Sequence, residues 1–523
     1  MSSKAPSQNI VVRALERLGD FGNKLPDPLT LFVIFTGLVV LASMVFQGLS
    51  ADMVQRTGEV KTMTVVSLLS AEGIKWMFLN VVDNFVGFAP LGPVLTVMIG
   101  IGIAEKTGFF AMGLRLLVSS VPASLITATL VFASVMSSMT ADAGYIVLTP
   151  LGALLFAGMG RHPLAGLAAA YAGVSGGYSA NLLITGLDPM LAKLTQQAAQ
   201  TIDPSYSVNA TCNYYFMVVS TVLITVIGTV ITTRIVEPML GEWERPKSLD
   251  MNTDEPDDEH KRAFKLASGV ALLVAGALSL LALIPSSPLR QPVAEGMPAI
   301  EAYAPFFDSI EILITILFIF PAIVYGYLTR QIRNDKDVAA MAGEAMGTMG
   351  AYIVLAFVAG QFVAYFNWTN LGSVTAVKGA EFLRDIGLTG LPLLLGFLVV
   401  SSLMNMLVGS ASAKWAFMAP IFIPMLMQAG MAGNGSGFSP ELVQATYRVG
   451  DSVTNIITPL MPYLPIIIVF AQRYDPKAGM GTILAAMVPY SIALGIGWTI
   501  MIFIWYTLGL PLGPGAPIFY PAP

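Results

Sequence analysis

The chain has 523 residues, of which 11% are charged and 55% belong to the AVILMFWYC set. Soluble proteins carry about 25% charged residues, so this composition excludes a string of soluble domains and defines an integral membrane protein, solvated by a lipid bilayer. A net charge of −5 argues against a nucleic-acid partner, the lone Cys212 excludes an intrachain disulfide, and His162 and His260 are too few and too far apart for a zinc or haem centre.

In chain order, residues 1–27 form a basic segment expected on the cytoplasmic side. A span needs about 20 apolar residues. The first apolar run, near 28–47, is too long for a signal-peptide core of roughly 7–15 residues and reads as a retained helix. With a second run near 89–104 it makes 28–122 the first scaffold helices, and 48–90 is left as an outer segment. Residues 123–193 do not parse as simple spans, because Ser137–Gly144 and Gly176–Asn181 break them at membrane depth. Irregular backbone is tolerated there only where protein buries it or a wet cavity solvates it. The reading is a hairpin over 123–160, dipping in from the cytoplasm with its tip near Met139–Gly144, and then a broken helix over 164–193.

Runs near 214–235, 264–284, 306–327 and 343–366 place scaffold and connecting helices in 194–388, with an acidic cytoplasmic linker over 236–263. Residues 389–471 repeat the irregular pattern. A hairpin over 389–430 dips in from outside with its tip near Val408–Ala413, and a broken helix follows over 440–471. The last helix, near 482–508, and a C-terminal tail complete 472–523. This is an all-α membrane fold with nine transmembrane helices and two re-entrant hairpins. The basic residues support it: 18 of the 27 Lys and Arg fall in cytoplasmic segments and 7 in outer ones, while Lys414 and Arg448 lie within the membrane.

The two irregular regions resemble each other. Ala143–Pro150 lies against Ala413–Pro420 at an offset of 270, and Asn181–Thr185 against Asn455–Thr458 at 274. The copies enter from opposite sides. Paired broken segments of opposite orientation point to a secondary transporter with its site near mid-membrane.

Ionisable groups inside a span cost about 2.5–3.5 kcal/mol each on insertion scales and normally have a partner or a task. Arg448 suits a substrate carboxylate through its planar fork, and Asp451 three residues on shares its helix face, so an internal ion pair is the competing reading. Asp188, before Pro189, is suited to a proton, a cation or a substrate amine, or else to capping a helix at the water interface. Trp415 offers a flat face to an aromatic ligand, and Pro440 starts the second broken helix. Asn405, Ser410, Ser412 and Asn455 near the second tip supply neutral oxygens, as do Ser138, Thr140, Asp142, Ser179 and Asn181 near the first. Oxygen clusters without sulfur or imidazole suit a hard ion; small polar residues also glue membrane helices together. Ser179, Asn181, Ser410, Ser412 and Asn455 are the ion-binding candidates. The sequence carries no nucleotide loop and no HExxH. The expectation is therefore a carrier rather than an enzyme, without a cofactor, driven by a gradient of H+ or Na+.

Leu25–Phe32 (LPDPLTLF), Asn84–Gly92 (NFVGFAPLG), Gly409–Pro420 and Arg448–Ser452 look like the corresponding segments of the AbgT family of p-aminobenzoyl-glutamate transporters. The likeness runs from about 14 to 510. It implies nine helices and two hairpins in each subunit of a dimer, with a scaffold and an outer transport core around a solvent-reaching bowl. The family's site residues match Asp188, Asn405, Trp415, Pro440, Arg448 and Asp451. Family members are importers of p-aminobenzoyl-glutamate or exporters of sulfonamide drugs. The expected function is transport of aminobenzoyl compounds across a bacterial inner membrane; the alternatives are a Na+-coupled dicarboxylate-type importer and a channel.

Overall fold

The computed structural model describes residues 28–54, 60–119, 122–140, 143–243, 257–292, 302–429, 437–458, 461 and 463–520. The N-terminal basic segment, the centre of the acidic linker, Asp142 and the side chain of Thr140 lie outside the described residues.

The first helix described, α1 (Pro28–Val45), is apolar on every face, as a helix between lipid and protein should be. A β-hairpin follows, β1 (Ser50–Val54) against β2 (Val60–Thr64), with Ser50 opposite Thr64. Next come α2 (Ala71–Val86), α3 (Leu91–Lys106) and α4 (Phe109–Ser119). The structure thus puts a hairpin and a helix where the sequence suggested only an outer segment over 48–90. Glu72, Lys75 and Asp83 interrupt the apolar run in α2, but Ser70 caps its start by accepting from the Gly73 amide at 3.0 Å. Its exposed residues include Phe78, Leu79, Val82 and Val86.

The first irregular region forms α5 (Ile126–Met136), a 3₁₀ turn (Ser137–Thr140) and α6 (Ala143–Gly158). These are the arms of hairpin 1. The helix α7 (Pro163–Gly176) then breaks at a 3₁₀ turn (Gly177–Ser179) and an irregular stretch before α8 (Leu187–Ala199). Gly152 and Gly166 let α6 and α7 meet backbone to backbone, since a Cβ on either would overlap the other's carbonyl. Every residue of α7 is buried.

The chain continues with α9 (Tyr214–Ile231), α10 (Asp258–Leu283), α11 (Ile310–Leu328), α12 (Asp335–Thr348) and α13 (Gly350–Trp368). α10 starts at the Asp257 cap, which accepts from the His260 amide at 2.8 Å, and presents Leu272 and Leu273 outward, about three-quarters exposed, as a lipid-facing helix does. α3 and α11 approach closely at Gly100, where a Cβ would lie 2.7 Å from the Thr315 carbonyl. An apolar cleft of about 430 Å³, lined by Phe109, Phe132, Met139, Leu183, Phe264 and Phe318 among others, separates α4, α10 and α11 from hairpin 1.

An amphipathic helix, α14 (Leu371–Asp385), turns by 119° into α15 (Gly390–Asn405). With α16 (Ala411–Ala429) this makes hairpin 2. The second broken helix is α17 (Pro440–Asn455) and α18 (Leu464–Gln472), followed by α19 (Met480–Leu508). Strand Gly437–Phe438 pairs with Phe519–Tyr520, tying the C-terminal tail to the start of α17. Among the described residues, six helices are long and apolar enough to cross a membrane: Ala71–Lys106, Tyr214–Leu240, Asp258–Leu283, Ile310–Leu328, Gly350–Trp368 and Met480–Leu508. The halves of the broken helices are shorter, and α7 and α17 among them are almost wholly buried. There is no closed sheet among the described residues.

Candidate substrate and coupling site

α17 is the most unusual helix of the fold. It carries Glu441, Arg448 and Asp451, yet all its residues except Val453 are buried. A buried charge persists only with a partner, and each of these finds one on a different element.

Arg448 faces the start of α8. Its Nη1 lies 2.6 Å from Oδ1 of Asp188, with the two side chains 3% and 0% exposed. The other carboxylate oxygen of Asp188 accepts from the Thr185 amide at 2.6 Å and from Thr185 Oγ1 at 2.9 Å. An acid so held in the first turn of a helix is also favoured by the positive end of the helix dipole. The Arg448–Asp188 contact is close but out of line for a hydrogen bond, and Nε and Nη2 of Arg448 have no hydrogen-bond partner among the described residues. Among the described residues, that edge of the buried guanidinium meets no acceptor.

Asp451 points to hairpin 2 instead. Its Oδ1 accepts from Lys414 Nζ at the start of α16, and its Oδ2 accepts from Asn455 Nδ2 at 3.1 Å. Asn405, at the end of α15, donates to the Asp451 carbonyl at 2.8 Å and to Thr454 Oγ1 and Asn455 Oδ1, both at 2.9 Å. Its own Oδ1 accepts from Lys414. The i, i+3 spacing of Arg448 and Asp451 suggested that they pair with each other; tertiary partners take both. Arg448 is drawn to α8 and Asp451 to the hairpin.

Trp415 is wholly buried and stacks on Tyr447 of α17, ring centroids 4.4 Å apart at 27°. Its Nε1 donates to Thr195 Oγ1 at 2.9 Å, and Thr195 donates to Gln444 Oε1 at 2.5 Å. Gln444 in turn donates to Asn213 Oδ1 at 2.9 Å. This chain links hairpin 2, α8, α17 and the start of α9. Pro440 follows the Ser439 cap, whose Oγ accepts from the Leu442 amide at 3.1 Å. It lies eight residues from Arg448, about 12 Å along the helix, and the structure does not bring it to the ion pair.

Of the ion-binding candidates, only Asn455 belongs to the Lys414–Asp451 network. Ser410 and Ser412 lie 3.4 Å apart at the tip of hairpin 2, where Ser410 Oγ accepts from the Ala413 amide at 3.3 Å. Asn181 joins the break after α7 to hairpin 1, donating to Ser138 Oγ at 2.9 Å and the Met136 carbonyl at 3.3 Å. Ser179 is buried in the neighbouring 3₁₀ turn. Lys414, Thr195, Gln444 and Tyr447 escaped the residue-by-residue reading. Lys414 had a signal, as an ammonium within a hairpin tip; the other three are ordinary residues whose roles depend on neighbours distant in sequence.

Two helical hairpins and two broken helices, in inverted repeat around buried charges, define a membrane carrier. The comparisons with known proteins agree. The AbgT putative transporter family matches residues 13–520. The p-aminobenzoyl-glutamate transport protein of Escherichia coli (strain K12) is 36% identical over 495 residues, covering 94% of each chain. The Alcanivorax borkumensis YdaH transporter superposes with a TM-score of 0.84 at 42% identity, over 94% of this chain and 100% of that one. Neisseria gonorrhoeae MtrF, described as illuminating a class of antimetabolite efflux pumps, superposes with a TM-score of 0.87 at 44% identity, over 97% of this chain and 100% of its own. The chain belongs to the AbgT family of transporters.

Proposed function

We propose that this protein is a gradient-driven secondary transporter for p-aminobenzoyl-glutamate and related aminobenzoyl compounds, sulfonamide antimetabolites among them. It acts as a homodimer in a bacterial inner membrane, with its N-terminus cytoplasmic. The relatives' names support the substrate class. The observation that supports the residue roles is the Nε–Nη2 edge of Arg448, which meets no acceptor among the described residues and is buried at 3% exposure. Two parallel N–H groups on a desolvated cation match a carboxylate or a sulfonyl pair of oxygens. Trp415 and Tyr447 stand beside the Arg448 turn as the aromatic wall for an aminobenzoyl ring.

The electrostatics account for coupling. Arg448 already faces Asp188, so a bound carboxylate places two anions on one guanidinium in a low-dielectric interior. A proton taken by Asp188, or a Na+ ion beside it, cancels the excess charge. Because Arg448, Asp188 and Trp415 are all enclosed, substrate access requires hairpin 2 to separate from α8 and α17, moving the core against the scaffold.

The test is flux of radiolabelled p-aminobenzoyl-glutamate in proteoliposomes under separate Na+ and H+ gradients, with wild type and Arg448→Ala. Equal flux by the two proteins removes Arg448 from the site. Flux that responds to neither gradient removes the secondary-transport reading.

A further inference from the structure

The hairpin-to-broken-helix seam of the second repeat holds an oxygen cluster that is already filled by a cation. Lys414 is 2% exposed, and its Nζ is bonded to Oδ1 of Asn405 and Oδ1 of Asp451. Both oxygens are aimed by their surroundings. The Asn405 amide nitrogen is committed to the Asp451 carbonyl, Thr454 and Asn455, which turns its oxygen to the ammonium. Asn455 Nδ2 holds the far oxygen of the Asp451 carboxylate at 3.1 Å. A carboxylate and an amide oxygen focused on one point, without sulfur or imidazole, are ligands a hard monovalent cation would use.

The first repeat has no counterpart of this charge pair. The offset of 270 sets Gly144 in the place of Lys414, and the offset of 274 sets Gly177 in the place of Asp451, while Asn181 matches Asn455. No side chain fits at either glycine. A Cβ on Gly144 would collide with Ser137, and one on Gly177 would lie 2.8 Å from Val135 Cα. The first seam closes by close packing of backbone; the second closes by an ion pair.

We propose that Lys414 is a tethered cation: its ammonium occupies the place of a free alkali ion at the second seam, neutralises Asp451 and excludes Na+ from that position. The consequence is specific. Deleting the ammonium leaves a preformed oxygen cluster with an uncompensated carboxylate, and Na+ then binds where it did not before.

The experiment is thermal unfolding of the full-length detergent-solubilised protein, without substrate, at pH 8.5 in NaCl and in choline chloride of equal ionic strength. Because it reads ion binding alone, its outcome is independent of the substrate assignment. Lys414→Ala is expected to gain a Na+-specific rise in melting temperature that wild type lacks and that grows with the logarithm of Na+ concentration. The double variant Lys414→Ala/Asp451→Asn, which removes both charges, is expected to lose that gain. A Lys414→Ala protein that can be purified only in Na+ supports the proposal equally. It is overturned if Lys414→Ala responds to Na+ no more than wild type, or is lost in both salts while the double variant is recovered. It is also overturned if wild type shows a Na+-specific rise that Asp451→Asn abolishes, since the ion would then bind with Lys414 in place.

Discussion

Arg448→Lys is the substitution that separates recognition from folding. Arg448→Ala leaves Asp188 buried without its cation, a loss on the order of 3–5 kcal/mol when one member of a buried pair is removed, so a dead variant could simply be an unfolded one. Lysine keeps a positive charge for Asp188 but has no second edge. Nε and Nη2 of Arg448, without a partner among the described residues, offer two charge-assisted hydrogen bonds, each worth about 1.5–3 kcal/mol, and a lysine ammonium offers a single point contact. Losing one of the two raises KM for p-aminobenzoyl-glutamate by roughly 10- to 150-fold. The assay is initial-rate flux in proteoliposomes over a range of substrate concentrations, with melting temperature measured on the same preparation. An aminobenzoyl amide lacking the carboxylates serves as control, and its transport should be nearly indifferent to the change. An unaltered KM for the dicarboxylate, in a lysine variant that melts like wild type, refutes the carboxylate role of the arginine edge.

Further outcomes follow from contacts away from the site. Arg161, in the turn after hairpin 1, donates to both oxygens of Glu237 at 2.9 and 2.6 Å and to Thr127 Oγ1 at 2.8 Å; Arg161→Ala should destabilise by about 2–3 kcal/mol, read by chemical or thermal unfolding, and no loss would mean that the bidentate pair is immaterial. Gly166→Val forces a Cβ to within 2.7 Å of the Phe156 ring and should destabilise by about 1–3 kcal/mol; an unchanged melting temperature would show that α6 and α7 can part freely. His162 caps α7 through Nδ1, which accepts from the Leu164 amide at 3.2 Å, and burial holds its pKa below the ordinary 6.5. The unfolded chain therefore takes up the proton first, so this contribution is intact above about pH 6.5 and is lost as pH falls from there toward the depressed folded value. His162→Asn, which keeps a capping acceptor, should flatten that part of the stability–pH curve, and a curve with the same slope in both proteins would rule the histidine out.

The expected nine-helix layout rested on apolar runs and the side to which Lys and Arg fall, both of which are local properties of the chain. That reasoning works where a helix is uniformly apolar, as in α9, α11 and α19, because the bilayer demands such composition directly. It failed at α2 and α14, whose charges break the run although one face of each is apolar. The breaks at Gly177 and after Asn405 were also legible, because Gly, Ser and Asn clusters have no reason to lie at membrane depth unless protein surrounds them.

By itself the sequence determined that this chain lives in a bilayer, that the order of hairpin and break occurs twice along it, and that Arg448 and Asp451 put charge where it needs a partner or a task. Only the tertiary structure decided who faces whom. Helical spacing allowed Arg448 to pair with Asp451, and nothing within α17 could tell that α8 would bring Asp188 to 2.6 Å or that hairpin 2 would bring Lys414 to Asp451. Pairing inside a protein is set by which desolvated groups the packing leaves within reach, and that distance is a property of the assembled helices rather than of any one of them.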